Sequence, residues 1–309
     1  MTSNPIEMHD VTRSFGAVQA IRGISLTVAK GEVFGLIGHN GAGKSTLFKL
    51  MLGLLPATSG DICINGVRVG ARDFRQARRR IGYLPESFVT YDNLTGLEVL
   101  HLFADLKQVP RSACADVLAR VGLSDAAGRR VRGYSKGMRQ RLGFAQVLLG
   151  DPDLIFLDEP TNGLDPEGIH DFYLVLRAMQ SRGATIVITS HILAEIQERV
   201  DRLLILHSGR MAALGTLSEL RAQRVLPSLI RLHLRAGSSA QLTSVMASLQ
   251  GPTLQLDGNS ALISCLPVQK VAVLGALAAL SDAVLDIAVH EPSLEDVFLG
   301  YGGIDVRAN

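Results

Sequence analysis

The sequence predicts an α/β protein: a parallel or mixed sheet with helices on both faces, a helical insertion within it, and a small α+β module at its end. Three observations carry this expectation. EVFGLI at 32–37, DLIFLDEP at 153–160 and ATIVITSH at 184–191 are short apolar runs without alternation, which suits central strands covered on both sides. Between Tyr91 and Gly150 the apolar period becomes helical. Beyond residue 220 a second pattern of short strands and helices begins.

In chain order, EVFGLIGHNGAGKSTLFKLMLGLL (32–55) reads as a strand, a glycine loop and a helix that closes at Gly53 ahead of Pro56. TGLE at 95–98 matches a capping box, with Thr95 as N-cap and Glu98 three residues on. Met138, Leu142, Ala145 and Leu149 recur at helical spacing, and Gly150 with Pro152 supplies a stop. A helical subdomain over about 91–150 is expected inside a first domain spanning 1–220. The remaining 221–309 holds only six basic and seven acidic residues, against 47 charged residues in the preceding 220. There, SLIRLHLRA (228–236), TLQLDG (253–258), SALISCL (260–266) and VLDIAVH (284–290) read as strands, with a hairpin turn at Asp257-Gly258-Asn259. Helices are expected over 240–249 and 268–281, and PSLEDVFLGY (292–301) begins like a capped helix. The order βαββαβ predicts a ferredoxin-like module with a trailing helix.

Composition narrows the function classes. The most apolar run, VAVLGALAAL at 271–280, is about half the length a bilayer helix needs. MTSNPIEMHDV lacks the basic head and apolar run of a secretory signal, so a cytoplasmic chain is expected. Cys63, Cys114 and Cys265 are scattered, which fits reduced thiols better than disulfides or a metal site. Net charge is +2, and although ARDFRQARRR (71–80) is rich in arginine, it carries a single aromatic, Phe74, rather than an interleaved series. A solvated helix face, and no nucleic acid, is the expectation. His101, His170, His207 and His233 are read as surface or half-buried residues without ligand spacing.

GHNGAGKS at 38–45 fits G-x-x-x-x-G-K-[ST] in full, directly after a strand and before a helix. In such a loop Gly38, His39, Asn40, Gly41, Ala42, Gly43 and Thr46 line up main-chain N–H groups toward phosphate at a helix start. Lys44 then reaches the β- and γ-phosphates, and the Ser45 hydroxyl holds Mg²⁺. At the end of LIFLDE (154–159), Asp158 completes the Mg²⁺ environment and Glu159 orients and deprotonates the attacking water. YSKGMRQR at 134–141 places Ser135 at an N-cap with Gly137 in the first turn, an anion-receiving helix end remote in sequence from the phosphate loop.

SFG (14–16), GHNGAGKST (38–46), GYLPES (82–87), YSKGMRQR (134–141), LIFLDEPTNGLDP (154–166) and TSH (189–191) stand in one order. Together, over residues 5–220, they resemble the ATP-binding cassette (ABC) ATPases of the P-loop NTPase class. The resemblance implies ATP and Mg²⁺ as ligands, with Phe15 stacked on adenine and His191 at the γ-phosphate. It further implies that Ser135, Lys136, Gly137 and Met138 close over ATP held by a second copy of the chain, with Asp165 at the seam. Glu86 would serve the ion or its water. Also implied are a polytopic membrane permease, a periplasmic partner, and a position on the inner face of the cell membrane. Tyr134, Lys136 and Met138 depart from the family's LSGGQ, and Glu86 replaces a usual glutamine. These variants resemble the drug- and sodium-exporter branch, as does EPSLEDVFL (291–299). GHNGAGK with His39, GYLPES and YSKGMRQRLGFAQVLLG resemble, more narrowly, the NosF-type ATPases that serve copper maturation of nitrous-oxide reductase.

Overall fold

Every residue of Val33–Ile37 (β3), Leu154–Asp158 (β7) and Thr185–Ser190 (β8) is buried, as continuous apolar runs require. In the computed structural model, which describes residues 4–191, 196–223 and 227–291, these strands lie side by side. With Ile81–Leu84 (β6), Arg202–His207 (β9) and Arg210–Gly215 (β10) they form a six-stranded sheet in the order β10-β9-β3-β8-β7-β6. All neighbours pair parallel except β10 with β9. The phosphate loop leaves the carboxyl end of β3, Asp158 ends β7 and Ser190 ends β8, so one edge of the sheet collects the polar residues.

A second sheet faces the first. Ile6–Phe15 (β1), Val18–Val28 (β2), Ser59–Ile64 (β4) and Val67–Arg68 (β5) pair antiparallel in the order β2-β1-β4-β5. Lys44–Met51 (α1) is packed in the core that both sheets share, with Phe48 fully buried and edge-on to Phe156 at 5.3 Å. Burying such a ring contributes about 1.5–3 kcal/mol. It also holds the start of α1, and so the loop ahead of it, in one place.

The arginine-rich stretch folds as Phe74–Ala77 (α2) and a 3₁₀ turn, Arg78–Arg80, with only Phe74 buried. The helical insertion comprises Gly96–Lys107 (α3), Ala113–Arg120 (α4) and Lys136–Leu148 (α5). Thr95 and Glu98 form the expected reciprocal capping box on α3. At the far end of α5, the Lys107 ammonium donates to the carbonyls of Gln146, Val147 and Leu149 at 2.9, 3.3 and 3.2 Å. Burial pushes this lysine down to about 8. Pro166–Ser181 (α6) follows β7.

The chain divides into two compact units, Met1–Leu217 and Ser218–Asn309. Leu217–Gln223 (α7) stands at the division. In the second unit Ser228–Leu234 (β11), Thr253–Asp257 (β12), Ser260–Cys265 (β13) and Val284–His290 (β14) make an antiparallel sheet, β12-β13-β11-β14. Ser239–Ala247 (α8) and Lys270–Ala278 (α9) supply Leu242, Met246, Val273 and Leu277 to its core. That order is ferredoxin-like. The helix expected over 292–301, and all but Glu291 of the resemblance at 291–299, lie outside the described residues. No described helix is long and apolar enough to cross a membrane, and the three cysteines are free.

Candidate active site

Gly43 is the N-cap of α1, with φ 110°, and no side chain caps the helix. A residue bearing Cβ is strained at that angle, and here its Cβ would also meet the Ala20 carbonyl at 2.9 Å. Gly38 has no room either: a Cβ there would lie 2.5 Å from the Leu206 carbonyl. The loop therefore presents main-chain N–H groups at a helix start, where the macrodipole favours anions. Ala42 is fully buried beneath it. The His39 ring donates from Nδ1 to the Asn40 carbonyl at 2.7 Å and meets His207 edge-on at 5.1 Å.

Lys44 is buried, donates to the Gly38 carbonyl at 2.6 Å, and lies 3.7 Å from Glu159 Oε1. The other Glu159 oxygen accepts from His191 Nδ1 at 2.8 Å. Glu159 itself takes a left-handed backbone, φ 48°, a conformation that costs a non-glycine residue of order 1–3 kcal/mol. One hydroxyl helps to hold it: Thr189 Oγ1 accepts from Glu159 N at 3.0 Å and donates to Asp158 Oδ1 at 2.7 Å. Burial raises Asp158 above the usual carboxylate range, as do the nearby charges of Glu86 and Glu159, while the Thr189 bond pulls it back.

A cavity of about 430 Å³ gathers His39, Asn40, Gly41, Gly43, Lys44, Ser45, Thr46, Glu86, Asp158, Glu159 and His191. Eleven of the residues singled out from sequence thus meet in one place. Asn162 and Ala20 join them; neither was singled out, nor was Thr189 beneath. A threonine near the end of the apolar run ATIVITSH, and an asparagine three residues past the DE pair, were the available signals. Phe15 is not among the lining residues; it is 45% exposed, with the Arg13 guanidinium 4.4 Å over its ring.

The YSKGM stretch also stands apart from that cavity. Ser135 caps α5, its Oγ accepting from Met138 N at 3.2 Å. Gly137 faces the Gly163 carbonyl, which a Cβ would approach to 3.2 Å, and Lys136 lies against Gly163. Tyr134 is buried and donates to the Ala126 carbonyl at 2.7 Å, its ring set over Gly96. Asp165 caps α6 by accepting from Gly168 N at 2.9 Å.

A family model described as "ABC transporter" matches residues 21–162. The daunorubicin resistance ATP-binding protein DrrA3 of Streptomyces coeruleorubidus is 33% identical over 99% of this chain and 98% of its own length. The chain is an ABC transporter ATPase. An uncharacterized ABC transporter ATP-binding protein of Nostoc sp. is 45% identical over 66% of the cassette-bearing chain, which spans 62% of that relative's length. A solved ATP-binding subunit of an ABC transporter superposes with a TM-score of 0.66 at 35% identity, over 71% of this chain and 92% of its own. The ABC cassette thus keeps its phosphate loop, its DE pair and its terminal histidine in contact within one cavity.

Proposed function

We propose that this ABC ATPase hydrolyses ATP as a head-to-tail homodimer and drives export through a separate polytopic membrane permease, at the inner face of the membrane. The observation that carries the reading is the position of Glu159, between Lys44 and His191 at the mouth of the phosphate loop. Lys44 and the loop amides bind the β- and γ-phosphates. Glu159 takes the proton of the attacking water, and His191 orients Glu159 and contacts the γ-phosphate. The Ser135 end of α5 lies outside its own chain's phosphate cavity, which supports its closing over ATP bound by the partner copy, with Lys136, Gly137, Met138 and Asp165 at that seam. Phe15, exposed at the end of β1, offers its ring to the base.

Mg²⁺ fits the donors. Ser45, Asp158 and Glu86 bring a hydroxyl and two carboxylates to one cavity, all hard oxygen ligands. Among the described residues no three His, Cys, Asp or Glu side chains form a metal cage. That suits an ion which draws most of its shell from phosphate and water. When bound, it neutralises charge on the β- and γ-phosphates.

For the cargo, the His39 loop, GYLPES and YSKGMRQR support service in copper maturation of nitrous-oxide reductase, with a periplasmic partner receiving the product. The end-to-end match to a daunorubicin resistance protein favours a second reading, expulsion of a drug-like compound. Deleting the gene separates them: loss of nitrous-oxide reduction supports the first, new drug sensitivity the second. The catalytic reading is tested with Glu159→Gln in the full-length chain. Phosphate release should fall on the order of 10²–10⁴-fold, the worth of a positioned base, while ATP still binds. Unchanged turnover rejects it.

A further inference from the structure

α5 is fastened to the sheet by more than apolar packing. Two glutamines on it are buried, Gln140 at 8% and Gln146 at 7% exposure, and both donate to main-chain carbonyls. Gln146 Nε2 reaches the Tyr83 carbonyl in β6 at 2.7 Å. Gln140 Nε2 reaches the Pro160 carbonyl at 2.8 Å, in a buried contact.

The second bond matters because of where Pro160 stands. It follows Glu159, whose φ of 48° must be imposed by its surroundings. Thr189 holds the main chain on the N-terminal side through Glu159 N. On the other side proline offers no N–H; the Glu159 carbonyl accepts from Asn162 N at 3.3 Å within the same turn, which leaves the Pro160 carbonyl for restraint from another element. Gln140 takes it. We propose that Gln140 is a positioning residue for ATP hydrolysis, clamping the segment behind Glu159 and tying it to the helix that Ser135 begins. This inference rests on the reading of Glu159 as the base. It makes α5 a direct mechanical link: a shift of its capped end, where the partner's ATP docks, reaches the same chain's carboxylate through one side-chain hydrogen bond.

The test compares full-length wild-type, Glu159→Gln, Gln140→Met and Gln140→Glu chains in steady-state hydrolysis. Methionine keeps the length and packing of glutamine but donates nothing. Its kcat should fall about tenfold, the rate equivalent of one lost buried hydrogen bond, with KM for ATP within about twofold of wild type. Glutamate can donate only when protonated, and burial raises its pKa. The Gln140→Glu to wild-type ratio of kcat should therefore climb as pH is lowered from 8 to 6. A purely structural role for Gln140 would not produce that climb. Wild-type kcat in Gln140→Met, a change in KM alone, or a flat pH ratio overturns the proposal; should Gln140→Met fail to fold, the pH ratio decides. If Glu159→Gln is slow and Gln140→Met is not, only this inference fails. If Glu159→Gln hydrolyses normally, the reading beneath it fails as well.

Discussion

Thr189 uses a single hydroxyl twice, accepting from the Glu159 amide and donating to Asp158. Removing it leaves a buried carboxylate without its donor and a strained residue without its tether. Thr189→Val, nearly equal in shape, should cut kcat by about 10–100-fold, the usual cost of losing a partner that orients a site ligand. Phosphate release across a Mg²⁺ titration, with circular dichroism to confirm folding, measures this; wild-type turnover at every Mg²⁺ concentration would dismiss the role. At this scale much of the site was legible from sequence. GHNGAGKS is contiguous and its geometry is local to one strand–helix turn, so eight adjacent residues state it. Thr189 was not legible as a tether, because its bonds join β8 to the end of β7, and neither partner is near it in sequence. Phe15 illustrates the same limit, since its distance from the cavity depends on how one sheet lies on another.

The elements divide along the same line. The capping box of α3 was readable because four consecutive residues contain it, and the serine cap of α5 likewise. The antiparallel sheet of β1, β2, β4 and β5 was not anticipated. Its pairing joins Ile6 to Ile64, and the alternation that would announce β1 is broken by irregularities after Met8. At the other end of α5, Lys107 satisfies three terminal carbonyls that the helix cannot satisfy itself. Its pKa near 8 lies below the ordinary value of about 10.4 for lysine. Between those values the unfolded chain binds more protons than the folded one, so this residue makes stability rise with pH from about 8 to 10. Lys107→Met should abolish that slope and lower stability by about 1–3 kcal/mol through the orphaned carbonyls. Urea midpoints measured from pH 7 to 10 provide the check, and a slope retained in the variant would refute it.

Taken whole, the molecule is two units with separate cores, one holding the phosphate cavity and one a ferredoxin-like sheet. Calorimetry on the full chain should resolve two transitions, and Mg²⁺ with ATP should raise only the one belonging to the first unit. A single transition that shifts as one would contradict this independence. The break near residue 220 was legible as a fall in charge density, and the βαββαβ order as a succession of short patterns, since both are properties of local composition. One small contact has a wider reach. Tyr134 is spent on the interior, its ring roofing Gly96 and its hydroxyl bound to Ala126, so the residue just before the capping Ser135 is anchored by the opening of another helix. A single methyl group added at Gly96 would have to evict that ring, and in the proposed head-to-tail dimer the disturbance would surface in the neighbouring molecule, as a nucleotide clasped less tightly by a chain whose own phosphate loop is intact.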